Sequence, residues 1–514
     1  MTRREFVDQG ARLGISAYAA LFAWGFLPPA PAQAFAPVPG EKRKKILILG
    51  AGLAGLASAY ELSKLGYECQ ILEAQERAGG RVWTVREGSK VEEIDGSTQR
   101  AQFDQGLYLN AGAARIPHHH ELSVHYCREL GVDLEVFVNM NEAAFAYAES
   151  QGKGTRLRLR ELNADLRGHT SELLAKAIHS EALDQEISTE DAAQLLEYLR
   201  TEGDLRSTFT YTGTERRGYE FANGASEAFA PSQPQNLSQL IQQGFLHPAF
   251  AHVAEYTYHQ QPTLLQPVGG MDRIVKAFLE KVGKQIEYQA QVLEIRNTNG
   301  GVQVRYQKAK KQEKILEADL CICTLPLPVL KGIKNNLGGD IQRACDFLPY
   351  LKTGKIALQF KRRFWEEDEG IFGGISKTNM DITQIFYPSY GFLGKKGILK
   401  GYYNFHERAE KFADLSPAER EAKALSEGEK IHPQYRKEFE SSFSIAWHKI
   451  PFSQGGWANY SGTQRKRLFP ALLRPDGAIY FAGEHTTYLN AWMAGAFESA
   501  RRVVEQIHQR VQKD

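Results

Sequence analysis

The stretch that decides the fold is Gly50-Ala51-Gly52-Leu53-Ala54-Gly55, which follows the apolar run Ile46-Leu47-Ile48-Leu49. The run is typical of a buried parallel strand, and residues 56–62 have the composition and spacing of a helix. In a strand, turn and helix of this kind Gly50 permits the tight turn, Gly52 lets a diphosphate approach the backbone, and Gly55 lets helix and strand pack closely. Phosphates would then face the helix N-terminus at Leu53 and Ala54.

A second apolar run supports this interpretation. Residues 68–72 predict another strand, and that strand ends at Glu73. An acid at this distance from the glycine turn is placed to bind the ribose hydroxyls of a dinucleotide. The sequence therefore predicts a dinucleotide-binding unit near the start of the chain.

The next segment, residues 73–84, reads Glu73-Ala74-Gln75-Glu76-Arg77-Ala78-Gly79-Gly80-Arg81-Val82-Trp83-Thr84. It resembles the E-A-x-x-R-x-G-G-R-x-x-T signature of the flavin amine oxidase superfamily, which includes monoamine, polyamine and L-amino acid oxidases. The resemblance implies an FAD cofactor. Gly79 and Gly80 would let the main chain pass close to it, and Arg81 would supply a cation near the diphosphate.

The resemblance continues along the chain in residues 267–272, 290–295, 481–486 and 491–496. It implies that the backbone of Val292 meets the adenine, that Glu484 lies near the ribityl or phosphate region, and that a helix starting near Trp492 points at the flavin ring. The cofactor-binding residues implied by the glycine turn and the resemblance are Gly50, Gly52, Leu53, Ala54, Gly55, Glu73, Ala74, Gly79, Gly80, Arg81, Gly112, Ala113, Ala114, Arg115, Val292, Glu484, Trp492, Met493 and Ala496.

The fold class that follows is α/β with mixed α+β parts. We expect a discontinuous Rossmann-like FAD-binding domain from residues 40–115, 265–330 and 470–514. A substrate-binding domain from residues 116–264 and 331–469 would contain a mixed sheet and helices. Residues 155–206, rich in Leu, Ala, Glu and Arg, predict amphipathic helices in a helical part of about 150–260.

Residues 112–117, Gly112-Ala113-Ala114-Arg115-Ile116-Pro117, resemble the G-x-M-R-x-P segment of L-amino acid oxidases. The resemblance implies that Arg115 anchors the substrate carboxylate through a two-pronged salt bridge, for which a guanidinium is well shaped. Ala114 departs from the pattern, which has methionine there. The alternative interpretation is that Arg115 pairs with an internal acid.

A second substrate anchor is implied for Tyr402, in a stretch similar to the family strand whose tyrosine also meets the carboxylate. Tyr403 would point to the opposite face of that strand, so a shift of one residue would exchange the two roles. A tyrosine buried in the core is the structural alternative.

Three further positions follow from the resemblance. Lys355 lies nine residues before Phe364-Trp365, the spacing of the family lysine that holds a water against flavin N5. Trp492, with Ala491 beside it, would line the channel through which the amine reaches the flavin. Trp457 stands where monoamine oxidases carry the cysteine that bonds to the flavin, so we expect non-covalent FAD, and Ala458 removes their second ring.

The function implied is oxidation of an L-amino acid to an imine, which hydrolyses to a 2-oxo acid and ammonia while dioxygen becomes hydrogen peroxide. The alternatives are a monoamine or polyamine oxidase, an amino-acid 2-monooxygenase, and an exported flavin dehydrogenase that reduces a quinone. The preferred side chain is not predicted, since Tyr211, Tyr219, Glu220 and Phe221 would suit bulky or cationic groups. A homodimer is a family-based expectation.

The composition gives reasons against a nucleic-acid partner, a disulfide scaffold and a metal site. The 514 residues suffice for two or more domains, and a formal charge of +2 gives no reason to expect nucleic acid. Five scattered cysteines are too few for a disulfide scaffold. His118-His119-His120 suggests a metal, but three adjacent side chains do not readily converge on one ion, so we expect none.

The first 36 residues are predicted to be a twin-arginine signal peptide. They contain Arg3-Arg4, a modest apolar run and the small-residue pattern Ala32-Gln33-Ala34. The alternative is an accidental Arg-Arg before a disordered leader. The run from Leu13 to Leu27 is shorter than a membrane-spanning helix requires, so we expect a periplasmic or secreted protein without a membrane span.

Overall fold

The computed structural model describes residues 35, 37–183, 187–220, 230, 232–251, 257–309 and 311–513. The predicted leader, with its arginine pair and cleavage pattern, lies outside these residues. None of the helices found in the described ranges is both long enough and apolar enough to cross a bilayer.

The strands, in chain order, are β1 Lys45–Leu49, β2 Glu68–Leu72, β3 Thr84–Val85, β4 Lys90–Glu92, β5 Thr98–Arg100, β6 Leu109–Asn110, β7 Ile116–Pro117, β8 Leu134–Phe137, β9 Phe145–Ser150, β10 Lys153–Arg158, β11 Leu264–Pro267, β12 Ile286–Glu287, β13 Ala290–Thr298, β14 Gly301–Lys308, β15 Gln312–Ala318, β16 Leu320–Cys323, β17 Lys334–Asn335, β18 Thr353–Phe360, β19 Ile375–Thr378, β20 Gln384–Phe386, β21 Gly397–Phe405, β22 Phe439–Ala446 and β23 Ile479–Phe481.

The α-helices are α1 Leu53–Lys64, α2 Glu121–Glu129, α3 Leu159–His179, α4 Thr189–Glu202, α5 Leu237–Gln242, α6 Asp272–Val282, α7 Leu327–Lys331, α8 Gly339–Phe347, α9 Phe364–Glu367, α10 His406–Ala413, α11 Pro417–Ile431, α12 Tyr435–Glu438, α13 Gly462–Leu472 and α14 Met493–Lys513.

The two strands and the helix predicted around the glycine turn are present as β1, β2 and α1. They belong to a five-stranded parallel sheet in the order β12-β2-β1-β16-β23. Helices α1, α6 and α14 cover one face, and the four-stranded sheet β15-β14-β13-β17 with α7 and α8 covers the other. Burial on both faces explains why β1 is an unbroken apolar run.

A second large sheet has seven strands in the order β10-β9-β19-β20-β21-β18-β22. It is mixed, because β19 pairs with β9 in parallel while the other pairs are antiparallel. All eight residues of its strand β18 are buried. The amphipathic helices predicted in residues 155–206 are α3 and α4, which enclose a small core with Leu205 and Tyr211. The mixed α/β fold is confirmed, and the exact domain boundaries stay a prediction.

Candidate functional site

A cavity of about 690 Å³ runs from the carboxyl end of β1 to the face of the seven-stranded sheet. Apart from Gly55 and Tyr402, every residue proposed from the sequence for cofactor or substrate lines it. Its size and concave shape suit a small molecule, and several separated segments of the chain meet there.

The glycine turn forms one end of the cavity. Helix α1 has Gly52 as its N-cap and lacks a side-chain cap, so backbone N–H groups of its first turn are left for a ligand. A Cβ placed on Gly52 would have no atom within 4 Å, because that side faces the cavity. A Cβ on Gly55 would lie 2.0 Å from the Gly50 carbonyl oxygen, so Gly55 serves helix–strand packing.

Glu73 lies beside this turn and is buried. Its carboxylate accepts hydrogen bonds from the backbone N–H of Ala51 at 2.8 Å and of Gln75 at 2.9 Å. Burial raises the pKa of Glu73, and these hydrogen bonds oppose the rise. The carboxylate is therefore held rigidly at the cavity wall, where it can accept ribose hydroxyls.

The double glycine and Arg81 form the next part of the wall. Gly79 has φ of +99°, and its backbone forms a bridge to Gly52. Arg81 donates to Glu484 at 2.8 Å and to the Gly456 carbonyl at 2.8 Å. Glu484 also accepts from the backbone of Ala458 and Ala491, so this ion pair joins three distant segments of the chain.

These features fit a dinucleotide. The wall offers an uncapped helix N-terminus, a buried acid, an arginine and glycines whose missing side chains leave room for phosphates. Val292 on β13 lines the same end. Trp457 also lines the cavity, whereas all five cysteines are buried elsewhere and none lines it, so no described cysteine is placed for a covalent link.

Lys355 on β18 lies near the middle of the cavity and is 2% exposed. Its ammonium donates to the Gly112 carbonyl and lies 4.5 Å from the ring centre of Tyr403. Burial, with Arg115 nearby, lowers the pKa of Lys355 to about 7. The side chain can therefore hold or release a proton near neutral pH.

Arg115 lines the cavity next to Gly112, Ala113 and Ala114. Its guanidinium lies 5.7 Å from the ring centre of Phe137 and 5.9 Å from that of Phe386. The guanidinium therefore lies near two aromatic rings at the wall of the cavity.

The structure does not place Tyr402 in the cavity. Tyr402 is buried in the core behind the sheet, with its ring 4.4 Å from that of Phe412, and Tyr403 lines the cavity instead. The cause is a bulge, since Ile356 pairs with Tyr402 and the next residue, Ala357, pairs with Lys400. The extra residue, Gly401, puts Lys400 and Tyr403 on the same face. The prediction that Tyr402 contacts the substrate is therefore wrong, because its side chain lies in the core and not at the cavity.

Trp492 and Ala491 lie at the cavity, and Ala491 adopts a φ of +71° while its N–H donates to Glu484 at 3.3 Å. The Trp492 ring packs against His120 with ring centres 5.0 Å apart. The three adjacent histidines do not converge by themselves, but His259 reaches the group from a distant loop, and its Nδ1 lies 3.0 Å from Nε2 of both His119 and His120. Burial and the neighbouring histidines lower the pKa of His120 to about 3.

Sequence reasoning missed Lys400, Phe386 and His259. Lys400 carried the same signal as Lys355, a single lysine in an apolar strand. His259 carried no local signal, because it reaches the site from a distant loop. Of the residues considered for side-chain preference, Tyr211, Tyr219 and Glu220 do not line the cavity, and Phe221 lies outside the described residues.

Comparison with known proteins places these features in a family. Residues 53–508 match the family described as flavin containing amine oxidoreductase. The chain is 29% identical over 488 residues to the protein named "Putative L-amino-acid oxidase YobN" of Bacillus subtilis (strain 168), covering 90% of this chain and 95% of that protein. It is 28% identical over 477 residues to an L-amino-acid oxidase of Siganus canaliculatus, covering 90% and 85% of the two chains.

Two solved structures share the fold. A triple mutant of putrescine oxidase superposes with a TM-score of 0.60 at 19% identity, covering 91% of this chain and 99% of its own. Cyclohexylamine oxidase from Brevibacterium oxydans IH-35A gives a TM-score of 0.60 at 16% identity, with the same two coverages.

Proposed function

Because the chain belongs to the flavin-containing amine oxidoreductase family, we propose that it binds FAD non-covalently and oxidatively deaminates L-amino acids. The balanced reaction is RCH(NH2)COO⁻ + O2 + H2O → RCOCOO⁻ + NH3 + H2O2. Bound FAD supplies the two-electron acceptor that is then reoxidised by dioxygen.

The observation that carries the proposal is Arg115 at the cavity wall near Lys355, whose pKa is lowered by burial and, to a smaller extent, by this guanidinium. A substrate with only an ammonium group would be repelled by these cations. A substrate carboxylate is attracted, and a guanidinium can hold it by two parallel hydrogen bonds. The names of the sequence relatives support the same choice.

Each side chain then has a defined task. Arg115 binds the carboxylate and fixes the direction of the α-carbon, while the rings of Phe386, Tyr403 and Trp492 exclude water. Lys355, held at the Gly112 carbonyl, keeps or releases a proton at Nζ. The amine is oxidised in its neutral form, which the cationic wall favours.

A peroxide-coupled screen of FAD-loaded protein tests the proposal. The panel is the twenty L-amino acids, their D-enantiomers and simple amines that lack a carboxylate. Peroxide together with equimolar 2-oxo acid and ammonia from L-substrates alone is the expected result. Turnover of amines without a carboxylate would instead indicate an amine oxidase. An amide product together with carbon dioxide would indicate a 2-monooxygenase. Reduction of a quinone without peroxide would indicate a dehydrogenase.

We also propose that residues 1–36 direct export by the twin-arginine route, which carries folded proteins and so suits a cofactor-loaded enzyme. Fractionation of cells that express the full chain tests this. Replacing Arg3 and Arg4 by lysine is expected to retain the protein in the cytoplasm, and unchanged export would contradict the assignment.

A further inference from the structure

Lys400 is a buried cation of the cavity that the proposed reaction leaves without a task. It lies on β21, is 7% exposed and lines the cavity. Its ammonium lies 3.8 Å from the ring centre of Phe386 and 5.5 Å from that of Tyr403. Across the described residues, no carboxylate forms an ion pair with Lys400.

The acids that line the cavity do not compensate this charge. Among the described residues they are Glu73 and Glu484, and both lie toward the dinucleotide end. Glu73 is engaged by backbone N–H groups, and Glu484 pairs with Arg81 at 2.8 Å. The substrate end therefore carries Lys355 and Lys400 with no acid of the described wall beside these two ammonium groups.

A buried ammonium must lose its proton or obtain a counter-ion. Burial, Lys355 and Arg115 together lower the pKa of Lys400 well below its usual value. An anion beside Lys400 would reverse this effect and be attracted strongly, since water is excluded there. The α-carboxylate held by Arg115 supplies one negative charge, and Lys400 is placed to bind a second negative charge of the substrate.

We infer, on the basis of the proposed function, that the preferred substrates are the acidic L-amino acids L-glutamate and L-aspartate, with Lys400 binding the side-chain carboxylate. A neutral side chain of the same shape leaves the ammonium uncompensated. Discrimination therefore depends on charge and not on size.

The amides L-glutamine and L-asparagine are matched controls for the two acids. We expect kcat/KM for L-glutamate to exceed that for L-glutamine at least tenfold, with the same order for L-aspartate over L-asparagine. Equal values, or a preference for the amides, overturn this inference but leave the amino acid oxidase intact. If no L-amino acid yields peroxide, both proposals fail.

Two variants assign the preference to Lys400. Lys400→Met is expected to lower kcat/KM for L-glutamate at least tenfold without lowering it for L-glutamine, while Lys400→Arg keeps most of the activity on the acid. Turnover of the amide and the bound-flavin spectrum show that the variant is folded. A loss that is equal for acid and amide would mean that Lys400 acts in the chemistry and not in selecting the side chain.

A separate observation concerns the three histidines behind Trp492. One ring nitrogen from each of His119, His120 and His259 lies within 4.8 Å of the other two. His259 Nδ1 is 3.0 Å from both partners, yet a neutral ring nitrogen either donates one proton or accepts at one lone pair. Two such contacts at one nitrogen are better satisfied by a shared cation.

The geometry points to a binding site for a divalent transition-metal ion, with His119, His120 and His259 as ligands. Imidazole nitrogen suits Zn²⁺ and Cu²⁺, and three protein ligands leave one position open. The ring of Trp492 lies next to this group, 5.0 Å from His120 and 5.9 Å from His259, at the edge of the cavity.

Calorimetric titration of FAD-loaded protein without a histidine tag, using Zn²⁺, tests the site. We expect one ion per chain, and His119→Ala or His259→Ala should weaken binding at least tenfold. His118→Ala is the matched control, because the His118 ring instead contacts the Thr263 carbonyl. Absence of binding, or equal loss in all three variants, overturns the assignment.

Discussion

The two ends of the cavity are built in different ways. The dinucleotide end is formed mainly by backbone at Gly52, Gly79 and the first turn of α1, and its charges are already paired, as in Arg81 with Glu484. The substrate end is formed by side chains on strands, and Lys355 and Lys400 lie buried there among aromatic rings. One end is preorganised without its ligand, whereas the other gains charge balance when the substrate arrives.

The first prediction separates cofactor binding from folding. Gly52→Ala adds a methyl group that meets no protein atom within 4 Å but occupies the phosphate cradle. We expect FAD affinity to fall by about a hundredfold or more, equivalent to roughly 3 kcal/mol, with little change in the thermal midpoint of the apo-protein. Flavin fluorescence titration and apo-protein melting measure the two quantities.

Gly55→Ala is the matched control, since its Cβ would lie 2.0 Å from the Gly50 carbonyl oxygen. This variant should bind FAD more weakly and should also lose about 1–3 kcal/mol or more of folding stability. Equal behaviour of the two variants would show that the cradle is not distinct from the packing of α1 on β1.

The difference between the two ends of the cavity also explains how much of the fold and of the site could be predicted from the sequence. Glycine turns and strand-to-helix junctions are local, so the dinucleotide end was predictable, including Glu73 at the end of β2. The face on which Tyr402 or Tyr403 lies depends on a bulge in the pairing of β21 with β18, and the local sign of that bulge is a single glycine inside the strand, Gly401. His259 joins His119 and His120 only through tertiary folding.

The second prediction concerns Arg115 at the substrate end. Arg115→Ala removes the cation that we assign to the α-carboxylate, so kcat/KM for L-amino acids should fall by about 100- to 1000-fold, or roughly 3–4 kcal/mol. Arg115→Lys should recover only part of the activity, because an ammonium cannot make the two-pronged contact. Retained turnover in the alanine variant would remove the carboxylate anchor from the mechanism.

The third prediction uses the pKa of Lys355, which is about 7 in the folded protein against 10.5 for an unperturbed lysine. Between these pH values the unfolded chain binds a proton that the folded chain does not, so stability rises with pH across this window. Lys355→Met should therefore stabilise the apo-protein at pH 7, on the order of 3 kcal/mol, and the gain should shrink toward pH 10.

Urea unfolding at pH 7, 8 and 9 measures this change. Lys361→Met is the control, because Lys361 is exposed just beyond the end of β18. In assays, Lys355→Met should lower turnover and abolish any pH transition near 7. A transition that persists in the variant belongs to another group.

The smallest predicted effect decides between the two tyrosines and tests the bulge itself. Tyr403→Phe removes a hydroxyl from the cavity wall, where the Tyr403 ring lies next to Lys355 and Lys400, so KM for the amino acid should rise severalfold. Tyr402→Phe removes a hydroxyl that faces Ser444 in the core, which should cost about 1 kcal/mol of stability and leave KM unchanged. Michaelis–Menten analysis and urea unfolding of both variants give the comparison. A rise of KM in Tyr402→Phe and not in Tyr403→Phe would mean that β21 continues past Gly401 without a bulge, with Tyr402 on the same face as Lys400.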